Sequence, residues 1–319
     1  MDANMSKDKE LHKHRKKMYE SADAYRKSFI NSATGLLDEK YLESRSCPVC
    51  GSRKDRSIFL KNGGRYVVCE DCSMIFLNPV FRDDWLEDYY INNNANQAEA
   101  HLEESPFYRN IYSAGLDQIA AIKNCSTILD IGCSSGFFLD LAKERGIQTF
   151  GIELNQLEFN ISASKGHTVW NDPVNRVEFP IRFDAITLWD VFEHIKDGRG
   201  YLRFLRNHLV EGGIIFMQIP SSQSLAARIL QEKCNMFDGL EHVNLYNEKT
   251  ILKLADQANY DVVQLKSVID ELGPINNHLS YEDPYFGSFD RSCDISFLST
   301  EVIHRELLGY KFQITLKVQ

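Results

Sequence analysis

A doubly wound, mostly parallel α/β sheet of seven strands, preceded by a small four-cysteine ribbon, is the fold class the sequence predicts. Two observations predict it. From Thr127 onward, short apolar runs alternate with amphipathic helical segments, the pattern of βαβ units around a parallel sheet. Upstream, two Cys-x-x-Cys pairs are separated by 18 residues that read as strand, glycine turn and strand.

In chain order, residues 1–45 read as a polar helical segment interrupted near Gly35, and residues 46–80 as the ribbon. Residues 81–125 read as a helical lid or linker broken by the polar run Asn92–Asn96. The α/β domain is expected over 126–319. Its strands are expected at 127–131, 148–152, 167–170, 184–189 and 213–219, with helices at 136–145, 155–165, 197–209 and 247–258. Strands near 261–268 and 310–318 close the domain, with a loop-rich insert at 270–293 and a helix at 295–307 between them.

A net charge of −9 argues against bulk nucleic-acid binding. The basic run over Lys7–Lys17 reads equally as a solvated helix face or a frayed terminus. No apolar stretch approaches the ~20 residues needed to span a bilayer, and the N-terminus lacks the apolar core of a secretory signal. A cytoplasmic protein is therefore expected, with its eight cysteines as thiols or metal ligands.

Cys47 and Cys50 form one knuckle, and Cys69 and Cys72 the other. Four thiolates converging on one point suit a structural, tetrahedral Zn2+, closed to substrate. A ribbon this small cannot bury enough core unaided, so metal is expected to hold it. A redox role is weaker, because no thioredoxin-like βαβ pattern surrounds either pair.

The segment Thr127-Ile-Leu-Asp130-Ile-Gly132-Cys133-Ser-Ser-Gly136 reads as an apolar strand, a tight turn and the start of a helix. Glycine there permits positive φ and close backbone approach to a ligand, as in dinucleotide enzymes. Three features point away from a dinucleotide. Asp130 precedes the first glycine of the turn and would repel a pyrophosphate, whereas it suits a ligand bearing ammonium and sulfonium charge. Glu153 ends the next strand, where an acid can accept ribose hydroxyl protons or stand as an ordinary strand-end acid. Strand four runs into Asp190-Val191-Phe-Glu193-His194 and puts polar groups at its carboxyl end.

These residues resemble the motifs of class I S-adenosylmethionine-dependent methyltransferases. Leu129–Gly136 is similar to motif I, Gly151–Leu154 to motif II, Phe183–Ile195 to motif IV, and Leu209–Phe216 to the segment entering strand five through a double glycine. The resemblance covers roughly residues 105–260. One departure is Ser134 at the middle glycine of motif I. The resemblance implies that Asp130 lies near the amino-acid end of S-adenosylmethionine, and that Gly132, Cys133 and Gly136 line it through backbone. It also implies that Glu153 holds the ribose and that Asp190 and Val191 flank the other side. Asp172 would meet the adenine amino group, although Asn171-Asp172-Pro173 is also good turn chemistry.

Methyl transfer from a sulfonium needs alignment of the acceptor and, for a hydroxyl, loss of a proton. His194 and His242 fall where acceptors bind in this fold, as general bases or as structural hydrogen-bonding groups. The ribbon-plus-methyltransferase layout resembles a bacterial group, methyltransferase-23-like, whose members modify sugars or surface glycans. That implies O-methylation of a small-molecule, sugar or glycan hydroxyl in surface polysaccharide biosynthesis. Methylation of RNA or protein, or a non-catalytic protein on the same fold, are the alternatives.

Overall fold

The computed structural model describes residues 27–86, 105–279, 295 and 297–319. The basic run Lys7–Lys17, residues 87–104 of the expected lid with the polar run Asn92–Asn96, and residues 280–293 of the insert lie outside the described residues.

Residues 27–45 are turn-rich rather than the helix expected there. Ile30 bridges Leu37 across a turn in which the Asn31 side chain accepts from Ala33 N at 2.9 Å. Gly35 takes φ +71°, so local side-chain-to-backbone bonding competes successfully with helix. A short strand β1 (Leu42–Glu43) follows. The ribbon is built from β2 (Asp55–Lys61), β3 (Gly64–Cys69) and β4 (Ile75–Leu77), all antiparallel. Asn62 and Gly63, both at positive φ, turn β2 into β3 with the backbone twist a tight hairpin needs. β5 (Val80–Phe81) returns to pair with β1.

Helix α1 (Ser105–Ile122) leads into the main sheet. The sheet comprises β6 (Thr127–Ile131), β7 (Gln148–Ile152), β8 (Thr168–Trp170), β9 (Phe183–Trp189), β10 (Leu209–Pro220), β12 (Tyr260–Val268) and β13 (Lys311–Val318). Their order is β12-β13-β10-β9-β6-β7-β8, parallel from β10 to β8, with β13 antiparallel to both its neighbours. Helices α2 (Phe137–Glu144), α3 (Gln156–Ser164), α4 (Gly198–Arg206), α5 (Leu225–Leu230) and α6 (Glu248–Gln257) join the strands. The doubly wound, mostly parallel seven-stranded sheet is thus as the apolar alternation predicts.

Three local expectations change. The helix expected to run to 209 stops at Arg206, and β10 starts at Leu209 with a register shift before Ile214 that takes up the double glycine as a bulge. Part of the loop-rich insert is helix α7 (Leu272–Leu279), begun by the Asp270 carboxylate accepting from Leu272 N at 3.1 Å. Pro274 falls in its first turn, where a missing N–H costs nothing. The helix expected at 295–307 is limited to α8 (Thr300–Arg305), capped by Ser299.

The ribbon is not a separate bead. Strand β11 (Asn244–Leu245), from the segment after α5, pairs with β4 and becomes the fourth strand of the ribbon sheet. One buried apolar cluster runs from Cys47, Val67 and Phe76 into Leu188, Phe192 and Tyr246. Among the described residues no helix is long and apolar enough to cross a membrane.

Candidate active site

A cleft of about 880 Å³ opens at the carboxyl ends of β6, β7 and β9, the place where open parallel sheets bind ligands. Its floor is the turn after β6. Gly132 takes φ +74°, and a Cβ placed there would lie 2.6 Å from Val191 Cγ2. The turn is stitched to β7 by Gly132 N and Cys133 N, which both donate to Ile152 O. Ser134 also adopts positive φ, 49°, so the position where the motif usually has glycine keeps the left-handed backbone with a small polar side chain. Gly136 does not line the cleft. It caps α2, and its bare Cα admits Ser162 of α3.

Glu153 ends β7 on the cleft wall, buried. Its Oε2 accepts from Ser134 N at 2.8 Å and its Oε1 from Asn155 N at 2.7 Å, which orient the carboxylate. Burial, with the Glu158 carboxylate nearby, pushes it up to about 7. Asp130, also buried, accepts from Thr187 Oγ1 at 2.6 Å, and burial pushes it up to about 8. Two buried acids with raised pKa on one wall of a cleft mark it as a candidate binding site. Asp172 is exposed and stands outside the lining, where Pro173, Val174 and Asn175 are found instead.

Across the cleft, Asp190 adopts φ 56° and pairs with the buried Lys311 ammonium, while Gln218 Nε2 donates to the same carboxylate oxygen at 3.3 Å. Val191 lies against Gly132. His194 and His242 meet edge to face, ring centroids 4.9 Å apart, and both line the cleft beside Glu193. Burial and the neighbouring imidazole hold His194 down at about 3, so it is neutral. His242 Nδ1 lies 2.7 Å from Met236 O, so that nitrogen carries a proton, and in the neutral ring the lone pair is then on Nε2.

The ribbon positions this histidine. Tyr66 OH donates to His242 O at 3.1 Å, and the Asp238 carboxylate collects Leu240 N, Glu241 N and His242 N. Arg45 donates to Leu77 O, Val243 O and Asn244 Oδ1 and ties ribbon, β11 and cleft together. The contact is close enough that a Cβ on Gly64 would meet Gly239 O at 2.0 Å.

The four ribbon cysteines converge. Cys47 and Cys72 Sγ are 3.5 Å apart, as are Cys50 and Cys69, without a disulfide. All four sulfurs lie within 4.8 Å of one another, which fits the edges of a tetrahedron with metal–sulfur bonds of ~2.3 Å. Burial pushes Cys47 up to about 11, so as a thiolate it needs a cation beside it.

Residues 105–265 match the family model described as a methyltransferase domain, about half of the chain. The chain belongs to the class I S-adenosylmethionine-dependent methyltransferases. The chain is 26% identical over 101 residues to a ubiquinone biosynthesis O-methyltransferase of Pseudomonas paraeruginosa, 28% of this chain and 43% of that protein. It is 27% identical over 99 residues to the protein of the same name in Pseudomonas syringae pv. tomato, covering 28% and 42%. The chain therefore matches less than half the length of these relatives. Among solved structures, an S-adenosylmethionine-dependent methyltransferase of Clostridium acetobutylicum aligns with TM-score 0.47 and 13% identity, over 70% of this chain and 99% of the other. A magnesium protoporphyrin IX methyltransferase of Synechocystis aligns with TM-score 0.49 and 10% identity, over 75% and 100%.

Proposed function

We propose that the chain transfers a methyl group from S-adenosylmethionine to a hydroxyl of a neutral acceptor, a sugar or glycan being the first candidate. The observation that carries this reading is the pairing of the Gly132 turn, at positive φ and lining the cleft, with the buried Glu153 carboxylate one strand away. Glu153 is oriented by two backbone amides and retains lone pairs for the ribose hydroxyls. Asp130 and the backbone of Gly132 and Cys133 would hold the amino-acid end. Pro173, Val174 and Asn175 offer a wall for the adenine, and Asp190 and Val191 the opposite face. Bound there, S-adenosylmethionine supplies a methyl group on a good leaving group, so the chain's own task is alignment, exclusion of water and removal of one proton.

The acceptor side supports hydroxyl chemistry. His242 Nε2 has the lone pair that takes a hydroxyl proton, and His194 is held neutral beside it. Asp83, Glu193, Glu241 and Asp197 also line the cleft, against only Lys196 and Lys311. That balance repels phosphates and favours an uncharged acceptor over a nucleic acid. Tyr108, Tyr112 and Tyr310 add ring faces on which a sugar can lie. The relatives whose name includes O-methyltransferase support the same atom as acceptor. The four ribbon cysteines hold a structural zinc ion in this reading, and that ion secures the His242 segment.

Calorimetry with the demethylated cofactor, S-adenosylhomocysteine, followed by mass spectrometry for a gain of roughly 14 daltons, the mass of one CH2, across neutral glycans and sugars tests the reading. One bound cofactor per chain and a methylated neutral hydroxyl compound are expected. Absence of cofactor binding overturns it.

A further inference from the structure

At the acceptor end of the cleft, Glu193 is 1% exposed, and neither carboxylate oxygen has a hydrogen-bond partner among the described residues. Its closest cationic candidate, His242 Nε2, is 3.9 Å from Oε1, beyond hydrogen-bond reach. A buried carboxylate is ordinarily paired, hydrogen-bonded or bound to metal. Lys311 does not fill the gap, because its ammonium is engaged by Asp190.

We propose that Glu193, His194 and His242 form a binding site for a divalent first-row transition metal ion at the acceptor end of the cleft. The three donor atoms lie within 4.8 Å of one another, so inward movement of each by up to about 0.8 Å, within reach of side-chain rotation, brings them to ~2.0–2.2 Å from a common centre. The ligand set, two imidazoles and one carboxylate, leaves coordination positions on the cleft side and selects Zn2+, Fe2+, Co2+ or Mn2+ over the all-oxygen cations. The second shell is already in place: Met236 O receives the proton of His242 Nδ1 and turns Nε2 toward Glu193. Two elements contribute the ligands. Glu193 and His194 come from the 3-10 turn Phe192–His194 after β9, and His242 from the segment braced by Tyr66 of the ribbon.

This site rests on the functional reading above and deepens it. The lone pair that would take the acceptor's proton instead holds an ion that lowers the hydroxyl's pKa. The hydroxyl proton then goes to solvent, the oxygen forms the new C–O bond, and the C–S bond breaks with its electron pair left on sulfur. A sugar diol suits such an ion because two adjacent oxygens can occupy the open positions.

The test is a Co2+ titration of the tag-free chain carrying a single zinc ion, on the ribbon thiolates, followed by visible absorption, with S-adenosylhomocysteine calorimetry on the same samples. One Co2+ per chain is expected, with ligand-field bands and no sulfur-to-metal charge-transfer band, since the ribbon thiolates take no part. Glu193→Gln and His242→Ala should each weaken that binding more than about 100-fold, beyond what loss of a second-shell partner does, while retaining the cofactor. Glu193→Gln should also lose the Co2+-dependent rise in melting temperature. Absence of cobalt binding in a chain that binds the cofactor overturns the ion site alone. So does cobalt binding unchanged in both variants, or seen only as thiolate bands. Failure of the unaltered chain to bind the cofactor overturns the methyltransferase reading, whatever cobalt does.

Discussion

Replacing Glu153 by Gln sets stability against cofactor binding. In the folded chain its carboxyl is pushed from an ordinary 4.5 up to about 7, first by burial and then by Glu158. A raised acid pKa means that the folded state binds the proton more tightly than the unfolded state. The stabilising contribution of protonated Glu153 is therefore complete below about 4.5 and is lost as pH rises through about 7. At about 1.36 kcal/mol per pH unit, the full difference is about 3 kcal/mol. Glutamine keeps the shape and an acceptor for one of the two amides without the charge. The second amide then faces an NH2 instead of an acceptor, a penalty of about 1–3 kcal/mol that does not change with pH. From pH 5 to pH 8 the variant should therefore gain about 2–3 kcal/mol of stability relative to the unaltered chain, roughly 4–6 °C in melting temperature. The same change removes charge-assisted acceptors for the ribose, worth ~1.5–3 kcal/mol each, so affinity for S-adenosylhomocysteine should drop at least about 10-fold. Melts at the two pH values and calorimetry at pH 8 measure both. A variant that gains no stability relative to the unaltered chain between pH 5 and pH 8, yet binds the cofactor as tightly, would refute the reasoning.

Gly132→Ala adds a Cβ 2.6 Å from Val191 at a φ of +74°, so calorimetry should show cofactor affinity reduced about 10-fold or more, with an unchanged circular-dichroism spectrum. Arg45→Met strands the acceptors at Leu77 O, Val243 O and Asn244 Oδ1, and chemical denaturation should register a loss of about 3 kcal/mol. In that variant turnover should fall more than cofactor affinity, because the His242 segment loosens while the β6 turn does not. Cys47→Ser should lower the zinc content by one ion per chain in atomic-absorption analysis and expose the ribbon to proteolysis; unchanged zinc content in that variant would remove the four-thiolate site.

The parts of the fold written in local sequence were readable from it. The β6–turn–α2 unit is a continuous stretch in which an apolar run, Gly132 and Gly136 each have a local backbone reason. The ribbon hairpin declares itself through cysteine spacing and Asn62-Gly63. Asp130, Glu153, Asp190, Val191, His194 and His242 all line one cleft, because strand ends in a parallel sheet converge there. What local pattern could not reveal is contact between distant segments. Lys311 opens β13 yet neutralises Asp190, 121 residues earlier. Tyr66 braces the backbone of His242 across 176 positions. Glu193 reads as one more acid in Asp-Val-Phe-Glu-His, and its lack of hydrogen-bond partners among the described residues is a property of packing. Residues 27–45 misled for a different reason. Their polar composition suits a helix, but the side chain of Asn31 offers the backbone a turn instead. The start of the insert expected to be loop-rich is helical instead, because the first turn of α7 accommodates Pro274.

A crystal structure of the chain soaked with S-adenosylhomocysteine bears most directly on the assignment. Both ribose hydroxyls should donate to the Glu153 carboxylate, with the amino-acid end over Gly132 and the sulfur directed toward the Glu193–His194–His242 face. An adenosine bound elsewhere, or a cleft that stays closed to it at saturating concentration, would contradict the account.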